Sequence, residues 1–273
     1  MTNVSRWLGE LFNVKVVDRY LEPIPHDIVI VVGSAALWCP WHDILTEVIK
    51  HSKRVIWVLQ DYSVDVPTEV VNTQKELECW SILKHNPYPN RKSFSTLNFK
   101  HLINWNLIVW SPQEFVPHTE SGLVYFGSFR KNRIDMFEKY LTGPYTVNIC
   151  CSARNVAKFA EIGEFQHWPI MRDCAKELQK FQASVYIEDK FCRDKQYSPM
   201  NRFYECLSAG IPLWIDAACT CNLQQYPIQK NWIVDSAEDI NWGADIASEQ
   251  ARILRPLIQE EYDGLAAKVK ALI

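Results

Sequence analysis

The chain has 273 residues, 48% of them hydrophobic and 22% charged, with a formal net charge of −3. That balance excludes a disordered chain. It also excludes nucleic-acid binding through overall charge, so any such contact must come from a local basic patch. The nine cysteines are odd in number and irregular in spacing, which argues against a disulfide framework and for reduced thiols in a cytoplasm, host cytoplasm if the source is viral.

MTNVSRWLGELF, at 1–12, lacks a basic stretch followed by a long apolar run, so no signal peptide is expected. No apolar run approaches the roughly 18 residues needed to cross a bilayer, and no membrane partner is expected. VKVVDRY (14–20) reads as a strand, and DIVIVVGS (27–34) as a strand buried on both faces. HDILTEVIKHSK (42–53) has helical spacing, RVIWVLQDYS (54–63) is again strand-like, and LINWNLIVWS (102–111) is read as a further strand. SPQEFVPHTESG (111–122), with two prolines and a glycine, is the best linker in the chain.

A second series follows. LVYFGS (123–128), YTVNICCS (145–152), ASVYIEDK (183–190), IPLWIDA (211–217) and NWIVDS (231–236) read as strands. KNRIDMFEKYL (131–141), RDCAKELQKFQ (172–182) and NRFYECLSAG (201–210) read as helices, and 244–272 is helical with a kink before Pro256. This rhythm predicts an α/β protein with two Rossmann-like parallel-sheet domains facing across a cleft. The expected boundaries are 1–115, 116–245 and a terminal helix in 246–273. Ligands of such sheets sit beyond the carboxyl ends of the strands, which singles out the loops 33–42, 61–66, 127–133, 150–155, 188–201 and 216–222.

In NRFYECLSAGIPLW the start of the helix, near Asn201, can hold an anion on its free N–H groups, and Arg202 can add charge-assisted hydrogen bonds. Ser198 lies in the loop just before it. Glu205, one turn in, can accept two hydrogen bonds from a vicinal diol such as a ribose, or it can serve as a helix cap. Gly210 and Pro212 end the helix. In YFGSFRKNR, Gly127 lets backbone approach a ligand, and Ser128 and three cations, Arg130, Lys131 and Arg133, follow at a strand-to-helix turn suited to a diphosphate. Ser152 and Arg154, in ICCSARN, close the next strand of the same edge, where a plain loop serves equally well. There is no Walker A pattern and no GxGxxG, and the cysteine pairs lack zinc-site spacing, so no metal site is expected.

Glu-Cys-Leu-Ser-Ala-Gly-Ile-Pro-Leu, at 205–213, resembles the E-A-(M/L)-A-x-G-x-P-(V/L) signature of GT-B-fold glycosyltransferases. The resemblance covers roughly 122–240 and implies that Glu205 holds the ribose of a nucleotide-sugar donor, a UDP-sugar in the first instance. It gives the diphosphate to Gly127, Ser128, Arg130 and Lys131, and sends the terminal helix back to the first domain. The chain departs from the pattern at Tyr197, where the family often has a second acid. With YFGSFRKNR, the chain resembles in particular phage-type enzymes that glycosylate hydroxymethylated pyrimidines in DNA, and base-J type glucosyltransferases.

Transfer to a hydroxyl with inversion needs a base from the first domain. Asp61, at a strand end, comes first, with turn formation as its alternative role; His42 and Asp43 come next, with helix capping as theirs. KHNPYPNRKSFSTLNFKH (84–101) interleaves cations and aromatics in a loop, and Lys84, His85, Tyr88, Arg91 and Lys92 are its candidates for a DNA acceptor. A solvated surface loop is the alternative. The expectation is therefore a monomeric enzyme with a nucleotide-sugar co-substrate, no cofactor, no essential metal, and duplex DNA as partner. Its rivals are a polysaccharide or lipid-linked acceptor and a non-catalytic nucleotide- or DNA-binding module.

Overall fold

The computed structural model describes residues 3–14, 27–33, 42–60, 66–83, 86, 90–196 and 198–273. The chain divides into two compact units, 1–108 with 195–197, and 109–194 with 198–273.

The first unit runs α1 (Asn3–Phe12), β1 (Ile28–Val32), α2 (His42–His51), β2 (Arg54–Leu59), α3 (Thr68–Val71), β3 (Leu77–Ser81) and β4 (Leu97–Leu102). Its four strands are parallel in the order β1-β2-β3-β4, with Ile28 opposite Arg54 and Ile56 opposite Glu78. β2 is buried from Val55 to Leu59, as its unbroken apolar run requires of a central parallel strand.

Two expectations are corrected here. LINWNLIVWS is no strand: Trp105–Val109 is a 3-10 turn, in which the Trp105 N–H donates to the Ile103 carbonyl at 3.0 Å and its indole N–H to the Trp80 carbonyl at 3.0 Å. Asn104 and Asn106 favour such a turn over continued extension. The segment 84–101 is not loop to its end, because β4 takes Leu97–Leu102 and Phe99, Lys100 and His101 are strand residues on the edge of the sheet. The strand-like stretch 14–20, apart from its first residue, lies outside the described residues.

The second unit carries β5 (Glu120–Phe126), α4 (Ile134–Tyr140), β6 (Val147–Cys150), α5 (Ala153–Ala160), β7 (Gln166–Trp168), α6 (Cys174–Leu178), β8 (Phe181–Tyr186), α7 (Lys190–Lys195), α8 (Asn201–Ala209), β9 (Leu213–Asp216), β10 (Ile233–Val234) and α9 (Ile246–Lys270). Its parallel sheet has the order β10-β9-β8-β5-β6-β7. Chain order therefore reverses between β5 and β8, which are paired, and this is the switch point where doubly wound sheets take their ligands. ASVYIEDK is strand only to Tyr186, and Glu188 and Asp189 follow in the loop.

α9 belongs to the second unit. Its Gln250 bonds both backbone groups of Leu213 at 2.7 and 3.0 Å, completing an edge of β9. Arg255 donates to the carbonyls of Leu207 at 2.9 Å and Ser208 at 3.1 Å, closing the carboxyl end of α8. Gly210 ends α8 at φ +79°, a conformation that side chains resist, and a β-carbon there would also push on Arg255 Nη2 at 2.8 Å. No helix among the described residues is long and apolar enough to cross a membrane.

Candidate functional site

The site grows from the carboxyl ends of β5 and β8. β5 ends on Tyr125 and Phe126, and Gly127 follows at φ +126°, a conformation that side chains resist. Ser128 and Lys131 are exposed and Arg130 half-buried around the short turn that leads to α4. α8 begins at Asn201, and its N-cap, Met200, supplies no side-chain hydrogen bond to the first turn. That helix is buried along most of its length; Asn201 is exposed and Glu205, four residues on, is half-buried, so these two share its open face. Burial pushes the Glu205 carboxyl above its ordinary range, against the Cys174 thiol and the charge of Arg202, which favour the ionised form.

Arg202 joins these parts. It is 7% exposed, and its guanidinium donates to the Phe126 carbonyl at 2.8 Å and the Ile187 carbonyl at 3.0 Å, tying the first turn of α8 to the ends of β5 and β8. The same group stacks over the Tyr125 ring at 4.4 Å and lies 3.4 Å from Glu188. Glu188 also pairs closely with Arg133, which reaches Asp189 at 3.4 Å. Burial disfavours the Arg133 charge, but Glu188, Tyr125, Cys192 and Asp189 around it together outweigh that and raise the guanidinium well above its ordinary value. Asp189 is likewise held low despite burial, by the Cys192 N–H at 3.0 Å and by Arg133.

The network is not saturated. The Nε atoms of Arg133 and Arg202, the hydroxyls of Tyr125 and Ser198, and Oδ1 of Asn222 are buried without a hydrogen-bond partner. Trp57 and Thr96 of the first unit carry such orphans too; what sets Tyr125 and Arg202 apart is that they meet beside the ends of β5 and β8, where a polar ligand can pair with them. Glu188, Asp189 and Cys192 also set three ligand-type atoms within 4.8 Å of one another. Two guanidiniums already supply the positive charge a cation would bring there.

The structure thus brings together Gly127, Ser198, Asn201, Arg202 and Glu205 through Arg202 and its helix, with Ser128, Arg130 and Lys131 continuing the β5 loop. Ser152 caps α5 in position only, without a side-chain bond to the helix, and receives the Asn155 amide at 3.3 Å; Arg154 is exposed beyond β6. Of the base candidates, Asp43 is exposed in the first turn of α2, while Asp61 and the His42 side chain lie outside the described residues. So do Lys84, His85 and Tyr88. Arg91 and Lys92 are exposed, and Lys92 donates to Asn72 Oδ1 at 3.2 Å. Arg133, expected as a third cation for the diphosphate, is instead buried and paired with Glu188; Tyr125, Glu188 and Asp189 were not among the candidates expected from sequence. The acidic pair after an apolar run was the available signal, since it stands at a strand end of the switch point.

No family model and no curated protein matches the chain. Among solved structures, a DNA-modifying beta-glucosyltransferase, determined with and without uridine diphosphoglucose, superposes with a TM-score of 0.69 at 15% identity over 90% of this chain and 80% of that one. The phage T4 beta-glucosyltransferase in complex with UDP-glucose gives 0.67 at 14% identity over 90% and 81%. This chain has the fold of those structures: two parallel sheets with their helices, the GT-B plan expected from the sequence.

Proposed function

We propose that the protein is a glycosyltransferase that moves a sugar from a UDP-sugar to a hydroxyl acceptor, and that the acceptor is the hydroxymethyl group of a modified pyrimidine in DNA. The observation that carries this reading is the open face of α8, with its uncapped first turn and Glu205, joined through Arg202 to the positive-φ glycine at the switch point. The shared fold and the glucosyltransferase activity of the structural neighbours support it. In this reading Glu205 accepts from the ribose hydroxyls. The first-turn N–H groups at Asn201 and Arg202, with Arg130 and Lys131, hold the diphosphate.

The acceptor oxygen attacks the anomeric carbon as the bond from that carbon to the diphosphate oxygen breaks. The electron pair stays on the diphosphate, where helix dipole and cations stabilise it. The acceptor's proton passes to a base of the first unit, with Asp61, His42 and Asp43 as candidates. Nothing in this step calls for a resident metal. The DNA acceptor rests on the cation-rich segment that includes Arg91 and Lys92, and on the DNA-modifying activity of the neighbour.

The test is incubation with labelled UDP-glucose, UDP-galactose and UDP-N-acetylglucosamine in the presence of hydroxymethylated duplex DNA, unmodified DNA or oligosaccharides. Label transferred to hydroxymethylated DNA alone is expected. Transfer only to oligosaccharides overturns the DNA acceptor; neither transfer, hydrolysis nor millimolar binding overturns the whole reading.

A further inference from the structure

Tyr125 is fully buried, yet its hydroxyl has no hydrogen-bond partner. The ring is fixed from several sides: the Arg202 guanidinium covers it at 4.4 Å, Phe137 meets it at 5.0 Å and Phe159 at 5.8 Å. The hydroxyl is thus held in place while its hydrogen-bonding capacity goes unused. A phenylalanine would keep these ring contacts, so core packing alone does not account for the hydroxyl.

Its surroundings show where the hydroxyl can be used. A β-carbon built on Gly127 would lie 4.0 Å from the Tyr125 hydroxyl and 3.6 Å from Arg202 Nη2, with no other atom as near. The space that glycine leaves open is therefore floored by one neutral donor and one cationic donor. Gly127 itself is exposed, while the hydroxyl beneath it is closed to water, so a ligand must come in over the glycine to meet it. Arg202 Nη2 already donates to the Phe126 carbonyl, and a guanidinium nitrogen has a second N–H to give. Two donors converging on one small, glycine-lined space suit an anionic oxygen, which accepts from both.

We infer that the Tyr125 hydroxyl is an open donor to a diphosphate oxygen seated over Gly127, sharing it with Arg202. This rests on the nucleotide-sugar reading above and adds to it a residue that touches the ligand. The role also explains why an unpaired hydroxyl is tolerated in the free protein: its desolvation is offset only when the ligand arrives.

The experiment compares wild type with Tyr125→Phe by calorimetric titration with UDP, UDP-glucose and uridine, and by thermal melting without ligand. The variant is expected to melt at or above the wild-type temperature, since it loses no bond in the free protein. It should bind UDP and UDP-glucose about tenfold more weakly, and uridine as wild type does. Equal UDP affinity in the two proteins overturns the inference while leaving the nucleotide reading standing. Weakening confined to UDP-glucose assigns the oxygen to the sugar and overturns the diphosphate assignment. A fall of several degrees in the free variant, or equal weakening of uridine, makes the hydroxyl structural and overturns it as well. If wild type binds neither UDP nor UDP-glucose, the nucleotide reading falls and the inference with it.

Discussion

Each unit of this protein centres a charge network on one glutamate, and the two differ in what they leave unpaired. Glu78, in the third strand of the first sheet, receives Arg54 at 2.7 and 3.1 Å, the Trp80 indole at 2.8 Å and Lys100 at 3.3 Å, with His101 at 3.4 Å. Its partners come from its own and neighbouring strands, and Arg54, Lys100 and His101 keep part of their surface in water. Glu188, beyond the end of β8, is fully buried between two buried arginines, and around it several donors have no acceptor. A network built only to hold strands together satisfies its members from within; one that leaves fixed donors open at strand ends is arranged for a partner from outside. Both glutamates attract several cations, so charge alone does not separate structure from site.

The sharpest way to break that contrast is to remove Glu188. Glu188→Ala leaves Arg133 and Arg202 buried without their shared counter-charge, and a loss of about 3–5 kcal/mol is expected. Urea unfolding should be read with hydrogen exchange at β8 and α8, which locates the loss in the second unit. A loss below about 1 kcal/mol would mean that the Phe126 and Ile187 carbonyls suffice for Arg202 and Asp189 for Arg133, and the contrast would lose one side.

Glu78 tests the other side through pH. Against the upward push of burial, hydrogen bonds from Arg54, Trp80 and Lys100 hold its carboxyl down at about 2, from an ordinary 4.5. The folded value is the lower one, so the contribution is fully present above the ordinary value and is lost as pH falls from about 4.5 through about 2. Partial solvation of the cations trims the contribution to about 2 kcal/mol. Glu78→Gln should lower the stability of the first unit by that amount at pH 7 and flatten its acid dependence. An unchanged acid limb would show that Glu78 is paired but contributes little.

Legibility in the sequence followed the range of the interactions that decide each element. RVIWVL is read as a buried strand because its burial is written in the run itself, and the helix before Gly210 ends where its glycine adopts positive φ. IVIVV, expected to be buried on both faces, is instead an edge strand of its sheet, with Ile28 exposed and only Val31 and Val32 buried, because a run of apolar residues does not say which strand lies at the edge. Leu77–Ser81 went unread because Glu78 interrupts its apolar pattern, and the interruption is explained only by Arg54, 24 residues away. The same holds at the site. Glu205, Asn201, Arg202 and the Gly127 loop stand in local motifs. Glu188 and Arg133 meet across 55 residues, and Tyr125 looks like one more apolar strand residue until its hydroxyl is seen without a partner. Where a carboxylate is buried by distant guanidiniums, no local periodicity announces it.

The smallest expected change in stability, and the most informative about function, belongs to Glu205. Burial raises its carboxyl above the ordinary range, the reverse of Glu78, so holding it ionised costs stability at neutral pH, and that cost shrinks as pH falls through the raised value. Glu205→Gln removes the charge with little change of shape. At pH 7 the variant should be as stable as wild type or more stable by less than about 1 kcal/mol, while UDP binds about tenfold more weakly because one charged acceptor for the ribose diol is gone. Repeating the titration with 2′-deoxy-UDP separates the two roles. If Glu205 holds the ribose, the substitution narrows the gap between UDP and the deoxy compound. If it is only a helix residue, that gap stays as it was, whatever happens to the melting temperature. A carboxyl group half-buried on the open face of α8, where burial disfavours its charge, is better explained by a diol that donates to it than by the helix that carries it.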